Sequence, residues 1–259
     1  MRALPPEVLV SEEQEMMRWL LSLTLVCAVV PVVAWQPSTA AGGSIQGRVR
    51  LTAPPPGNPI IRMGMDPRCA EAARGKRIVQ DAVVTSDDGG LANAFVHLAG
   101  SFPDAPRPAG VVTIDQQRCM YRPRVVGARV GQTIEFRNSD PTLHDVHGLS
   151  KASNDFNIGQ PLRGMVYKVE LKHEEVMLHI ACDVHRWMTA FVGVVDHPYF
   201  TVSSGAGVFT IDAIPPGRHT IRAWHERYGT LTQSVDVTAG NTAVVEFIYT
   251  GSEKPDPQR

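Results

Sequence analysis

The chain carries little charge imbalance: 25 Lys and Arg stand against 26 Asp and Glu in 259 residues, a formal net charge of −1. It contains no basic block, and a nucleic-acid partner needs one, so that class of partner is excluded. Cysteine is scarce, at four residues, and none sits in a Cys-x-x-Cys-His segment, which excludes covalently attached haem of the c type. Aromatics make up only 7%. Long helical periodicity is missing, and a single apolar run exceeds the length of a strand. Turn formers are plentiful instead, with 22 Gly and 20 Pro between short apolar or alternating stretches. That combination predicts an all-β chain.

The one long apolar run is 19–35 (WLLSLTLVCAVVPVVAW), preceded by Arg18 and followed by PSTAAGG. Charged flank, apolar centre and small residues are the pattern of a secretory signal, with cleavage after Ala34 or near Ala40. The acidic stretch before it is unusual for such a leader, and translation starting at Met16 or Met17 would remove it. The competing reading is an uncleaved anchor, although the run is short for a span and Pro31 interrupts it. Without residues 1–40 the chain loses four Glu and two Arg, and its net charge moves to about +1. The expected setting is the periplasm or another exported location, with no membrane contact after cleavage.

Strand-like stretches at 43–51 (GSIQGRVRL) and 91–98 (LANAFVHL) flank an irregular segment, 52–90, with a short helix-like stretch at 69–75 (CAEAARG). A proline-rich joint at 101–110 precedes a run of short strands: VVTI, RVVGARV, QTIEFRN, VYKVEL, VMLHIAC and TAFVGVV. Another series fills 200–250, and the tail 251–259 is polar and expected to be disordered. The expected division is 43–104, 109–197 and 198–250.

The strongest motif is CDVHRWM, 182–188, in which a thiol, an imidazole and a thioether fall within seven residues at a strand end. Soft sulfur donors with imidazole suit copper. A second imidazole must come from elsewhere, and His144 in FRNSDPTLHDVHG is the candidate. Two His, one Cys and a weak axial Met make a blue-copper ligand set. A structural zinc site is the alternative, but zinc favours strong tetrahedral ligands and Met is a poor one. The other histidines form no His-x-His pair of the kind a second copper cluster would use, so no enzyme is expected.

GQTIEFRNSDPTLHDVH followed by LHIACDVHRWMTAFVGVVD resembles the cupredoxin family, plastocyanin and amicyanin above all, over 111–197. The resemblance implies a Greek-key β-sandwich holding one copper ion that cycles between Cu(I) and Cu(II). His144, Cys182 and His185 would be its strong ligands and Met188 its axial one. Asp145 stands where that family usually has an Asn tying the ligand loops together. The resemblance also implies that His185 is the ligand nearest the surface, rimmed by Trp187, Met188 and Pro161. The flanks, with GVFTIDAIPPGRHTIRAWHERYGT, resemble the transthyretin-like sandwich of carboxypeptidase regulatory domains. The whole arrangement resembles bacterial proteins of the methylamine-utilisation type. On that reading 43–100 and 200–250 pair with each other around an inserted cupredoxin. The alternative is three separate pieces.

With Cys182 assigned to copper, Cys69 and Cys119 remain, and an oxidising compartment favours a disulfide between them. His147, His173, His179, His97 and His225 read as ordinary side chains, the last four on solvent faces; Trp224 reads as core and His197 as structural. The function expected is electron transfer with a redox protein such as a c-type cytochrome or periplasmic dehydrogenase. Copper carriage or buffering, and a structural module stabilised by its metal, are the alternatives.

Overall fold

The computed structural model describes residues 42–102 and 109–257. The expected signal segment, 1–40, lies outside the described residues. Among the described residues no helix is long and apolar enough to cross a membrane. Nearly all regular structure is β, with one α-helix, Pro67–Ala73, and one short 3₁₀ turn, Met63–Met65.

Two sandwiches account for four of the five sheets, the fifth being the two-stranded pair Ile60–Ile61 and Ile78–Val79. In the first, a five-stranded sheet runs in the order Phe156–Gln160, His144–Leu149, Glu175–Ala181, Thr189–Val195, Val125–Arg129. It faces a four-stranded sheet ordered Val166–Glu170, Thr133–Asn138, Val111–Gln116, Tyr121–Arg122. Alternation explains the layering. Ile134 and Phe136 on one sheet point inward and pack with Val146, Leu178, Ile180 and Val192 from the other. Parallel pairing of Val111–Gln116 with Thr133–Asn138, and of Thr189–Val195 with Val125–Arg129, requires crossovers between the layers.

In the second sandwich the two ends of the chain meet. Gly43–Leu51 lies between Val208–Ile214 and Thr242–Tyr249, antiparallel to the former and parallel to the latter. Phe95–Ala99 lies between Phe200–Val202 and Gly217–His225, and Gly229–Val237 completes that sheet. Three and four strands enclose Ile45, Val49, Phe209, Ile211, Ile221 and Phe247. The Tyr249 hydroxyl donates across this core to the carbonyls of Ala223 and Gly229.

The sandwiches join through glycine. A Cβ on Gly193 would meet the Phe95 ring at 2.4 Å, and one on Gly127 the Phe200 ring at 2.3 Å. Thr189–Val195 is therefore buried on both faces, by the first core on one side and by Phe95 and Trp224, packed with its own Phe191, on the other. Arg124, also buried, reaches across to Glu226.

Three sequence expectations change. The helix begins two residues earlier than the 69–75 stretch. Asp66 caps it by accepting from the backbone N–H of Arg68 and Cys69, Pro67 starts it, and Arg74 ends it at φ 49°. The segment bearing this helix leaves the second sandwich, for Ile61, Met63 and Cys69 are buried in the core of the first. The tail, for its part, is held down as far as it is described. Thr230 donates to Asp256, and the Glu253 carboxylate accepts from the backbone N–H of Thr250 and Gly251. A polar tail finds order where its carboxylates meet free backbone donors.

Two histidines expected on solvent faces, His97 and His225, are buried, and His179 is half-buried against the Phe191 ring. Strand alternation misplaced them because these strands have packing on both faces. His225 stacks on Tyr228, and its Nε2 has no partner. Burial pushes its pKa down to about 3, and that of His97 to about 4. Each group is neutral when folded, and the unfolded chain takes up its proton near 6.5. Their contribution is therefore intact above pH 6.5 and is lost as pH falls from there toward 3 to 4. His225 alone should cost about 2 kcal/mol of stability at pH 5 relative to pH 7.5. Urea unfolding of the wild type and of His225→Gln at the two pH values checks this, and equal pH dependence in both would refute it.

Candidate metal centre

Three donors converge at one end of the first sandwich. His144 is the first residue of the strand His144–Leu149, Cys182 follows the strand Glu175–Ala181, and His185 lies in the loop before Thr189–Val195. His144 opens a strand polar enough (HDVHGL) to hide its period in the sequence. His144, Cys182 and His185 are all buried, and one ligand atom of each lies within 4.8 Å of the others. The two Nδ1 atoms stand 3.0 Å apart, and Cys182 Sγ is 4.0 Å from His185 Nδ1. Met188 is buried in the same loop, closed by a backbone bond from Met188 N–H to His185 C=O.

Each donor is held from behind. The His144 Nε2 lies 3.0 Å from Asp140 Oδ2, and the His185 Nε2 lies 2.9 Å from Asp66 Oδ2. Cys182 Sγ accepts from the backbone N–H of Asp145 and of His185, both at 3.3 Å. Burial pushes the Cys182 thiol up, but bonds from His144, His185 and those two N–H groups outweigh it and bring the pKa down to about 6. Burial likewise opposes charge on His144 and His185, and is outweighed by Asp140 with Cys182 at the first and by Cys182 with Asp66 at the second. Both imidazoles end above their ordinary pKa.

The donor set fits a cation. With each Nε2–H directed at a carboxylate, the two Nδ1 lone pairs face each other at 3.0 Å and repel unless a proton or metal ion lies between them. Imidazole nitrogens each about 2 Å from one ion stand about 3 Å apart. A thiolate and two imidazoles, with a buried methionine three residues after His185, would suit copper by softness.

The loops around the donors are cross-linked. The Tyr121 hydroxyl donates to the carbonyls of Asp145 and Ala181, bridging the segments that carry His144 and Cys182. The Asp145 carboxylate, in place of the expected Asn, accepts from Asp183 N–H at 3.4 Å and so still joins the two loops. Burial pushes its carboxyl up. Asn138 donates to the carbonyls of Thr142 and Gln160, clamping the turn ahead of His144. Cys69 and Cys119 form a disulfide, and Cys182 is the free cysteine among the described residues.

One expectation about the rim is overturned: Met188 is fully buried rather than part of it. His185 is the most exposed of the four candidate ligands, as expected, but at 3% it too is covered. The helix segment 66–73 covers the outer edge of His185. The Trp187 ring, half-buried, lies 5.0 Å from that of His185, and its N–H donates to Cys119 C=O. Pro161 is exposed. His147 turns away and pairs with Asp183, while His173 is exposed and His197 is buried, its Nε2 3.0 Å from Leu98 C=O.

Sequence reading missed Asp66 and Asp140. The signal for Asp66 was an Asp-Pro pair at a helix start; for Asp140 it was an acid four residues ahead of a candidate ligand.

No family model matches the chain, and no curated protein matches it. Among solved structures it is similar to a copper-containing nitrite reductase from Thermus scotoductus SA-01, at 19% identity, covering 37% of this chain and 24% of the other with a TM-score of 0.31. An amicyanin mutant in its Cu(I) form matches at 17% identity over 38% and 97% of the two chains, TM-score 0.29. A purple cupredoxin from Nitrosopumilus maritimus matches at 21% over 32% and 98%, TM-score 0.28. This chain thus spans about a quarter of the length of the nitrite reductase.

Proposed function

We propose that this protein is an exported mononuclear copper protein that passes single electrons, with His144, Cys182 and His185 as strong ligands and Met188 as the axial one. The observation that carries the reading is the convergence of two carboxylate-backed Nδ1 atoms and a low-pKa thiol in one buried pocket. A copper ion bound there supplies one-electron chemistry. The chain's own residues do the rest. Asp140 and Asp66 orient the imidazoles, two backbone N–H groups hold the sulfur, and Tyr121 with Asn138 keeps the loops from moving. A site held this rigidly need not rearrange between oxidation states.

Copper carriage fits less well. A carrier releases its ion by ligand exchange, and the outer ligand edge offered for that exchange is closed here by Asp66. With His185 covered, Trp187 is the ring beside a ligand that reaches solvent, and it is the natural exit toward a c-type cytochrome or an exported dehydrogenase. The disulfide, together with the apolar segment 19–35, supports a periplasmic setting. The second sandwich, with its transthyretin-like resemblance, serves as a support packed on the face of the Thr189–Val195 strand.

Visible and paramagnetic-resonance spectra of the copper-loaded protein test this. An intense thiolate-to-copper band with narrow hyperfine splitting is expected, bleached by a reduced c-type cytochrome with copper retained. A weak tetragonal spectrum, or bleaching with copper lost to the partner, would overturn it. Met188→Leu should keep both copper and band and raise the reduction potential, because it removes only a weak axial donor. Loss of copper in that variant would contradict the axial role.

A further inference from the structure

Both candidate histidine ligands lean on carboxylates, and the two carboxylates are connected. The backbone N–H of Cys69 donates to Asp66 Oδ1 at 3.1 Å, and that of Cys119 donates to Asp140 Oδ2 at 2.7 Å. Asp66 Oδ2 lies 2.9 Å from His185 Nε2, and Asp140 Oδ2 lies 3.0 Å from His144 Nε2. Cys69 and Cys119 are joined covalently. Each half of the disulfide thus grips the acid that grips one imidazole. Arg118 and Cys119, at φ 56° and 55°, hold an unusual left-handed turn that aims both their N–H groups at Asp140.

The two sides differ in origin. Asp140 and His144 are four residues apart on the same sandwich. Asp66 arrives on a segment 119 residues from His185 in sequence, and the disulfide ties that segment down three residues after it. Among the described residues the other acceptor beside His185 Nε2 is Cys69 Sγ, at 3.5 Å, a weak one carried by the same segment.

The geometry points to Asp66, stapled in place by the Cys69–Cys119 disulfide, as a positioning residue of the metal centre: it keeps the proton of His185 on Nε2, leaves Nδ1 free for the ion, and shuts the outer edge of that imidazole from water. This rests on the reading of His185 as a ligand. The chemistry of Asp66 separates this role from helix capping. Its Oδ1 accepts from Arg68 and Cys69 N–H, and its Oδ2 faces His185 and the Thr142 hydroxyl, which donates at 3.3 Å. Asn caps a helix about as well as Asp. An Asn oriented to cap, however, turns its amide N–H toward Nε2, and two donors then face each other. The imidazole escapes by moving its proton to Nδ1, the atom that a metal needs bare.

Proton–nitrogen spectra of the histidine rings, taken at one fixed pH on the metal-free and the Cu(I)-loaded full chain, read this directly. The wild type should show a protected Nε2–H on both His144 and His185. Asp66→Asn should keep the first, lose the second, and weaken Cu(I) binding about 10- to 100-fold. Asp66→Ser, which also caps well but cannot reach Nε2, should behave alike. The Cys69→Ala/Cys119→Ala variant should lose protection at His185 and retain it at His144. A protected His185 Nε2–H persisting in Asp66→Asn, or missing from the wild type, overturns the proposal. Unchanged Cu(I) affinity in a folded Asp66→Asn does so too, and leaves the copper reading standing. A wild type that binds no copper yet shows both protected protons, with that of His185 lost in Asp66→Asn, supports the positioning role and defeats the copper reading.

Discussion

Cys182→Ala is expected to abolish the intense visible band of the copper-loaded protein, because the band requires a thiolate bound to copper and no other free cysteine is present among the described residues. The same change should cost stability even without metal. Cys182 Sγ accepts from the backbone N–H of Asp145 and of His185 in a buried pocket, and alanine orphans both donors. An unmade bond to a buried donor costs about 1–3 kcal/mol. Cys182→Ser separates the two effects: the hydroxyl still accepts and the fold is largely spared, but the thiolate is gone. The expected order of unfolding midpoints is wild type, then Ser, then Ala, with the band absent from both variants. A band surviving in either would remove Cys182 from the ligand set. Equal stability of the Ser and Ala variants would show that the two N–H groups do not depend on the sulfur.

The site was more legible in the sequence than the frame around it. CDVHRWM carries its chemistry in its spacing, since three donors within seven residues at a strand end are close in space whatever the fold. His144 needed the further inference that a loop 38 residues away from Cys182 would arrive at the same end of a sandwich, and a β-sandwich of this order brings it there. Strands with clear alternation or continuous apolar character, such as Thr133–Asn138 and Thr189–Val195, could be read directly. Phe156–Gln160 and Tyr121–Arg122 could not, being short and mostly polar, and their strand character comes from neighbours that supply the pairing. Asp66 lay beyond sequence reasoning for a different reason. Its role depends on a segment crossing from one sandwich to the other, and only the burial of Ile61, Met63 and Cys69 reveals that crossing. The buried histidines His97 and His225 were hidden because period-two alternation assumes one wet face, and the strands at the junction have none.

Arg124→Met should be the most destabilising single change at that junction. Arg124 immediately precedes the strand Val125–Arg129 of the first sandwich, whereas Glu226 follows Gly217–His225 of the second. The guanidinium makes a two-pronged contact with the Glu226 carboxylate at 2.5 and 2.7 Å, and a third bond to Asp81 at 3.2 Å on the segment that leads back from the metal-site helix. Three parts of the chain therefore meet on one buried cation. Burial pushes the Glu226 carboxyl up and Arg124 holds it partly down, so removing the cation leaves an acid that must either stay charged without a partner or take up a proton. Breaking one side of a buried pair costs about 3–5 kcal/mol. Replacing both sides is different, because two apolar side chains leave no unpaired charge behind: Asp81 keeps its ion pair with Arg122. Arg124→Met/Glu226→Leu should therefore recover most of the loss, a coupling that a double-mutant cycle in urea measures. The probes are already in place: Trp187 beside the metal site reports the first sandwich, and Trp224 reports the junction. If Arg124 ties the sandwiches together, the Trp224 transition should move to lower urea before that of Trp187 in the single variant, and the two should coincide again in the double. A single variant as stable as the wild type would mean that the pair's desolvation cost already cancels its attraction, and that glycine-backed contact of Phe95 and Phe200 alone holds the sandwiches together.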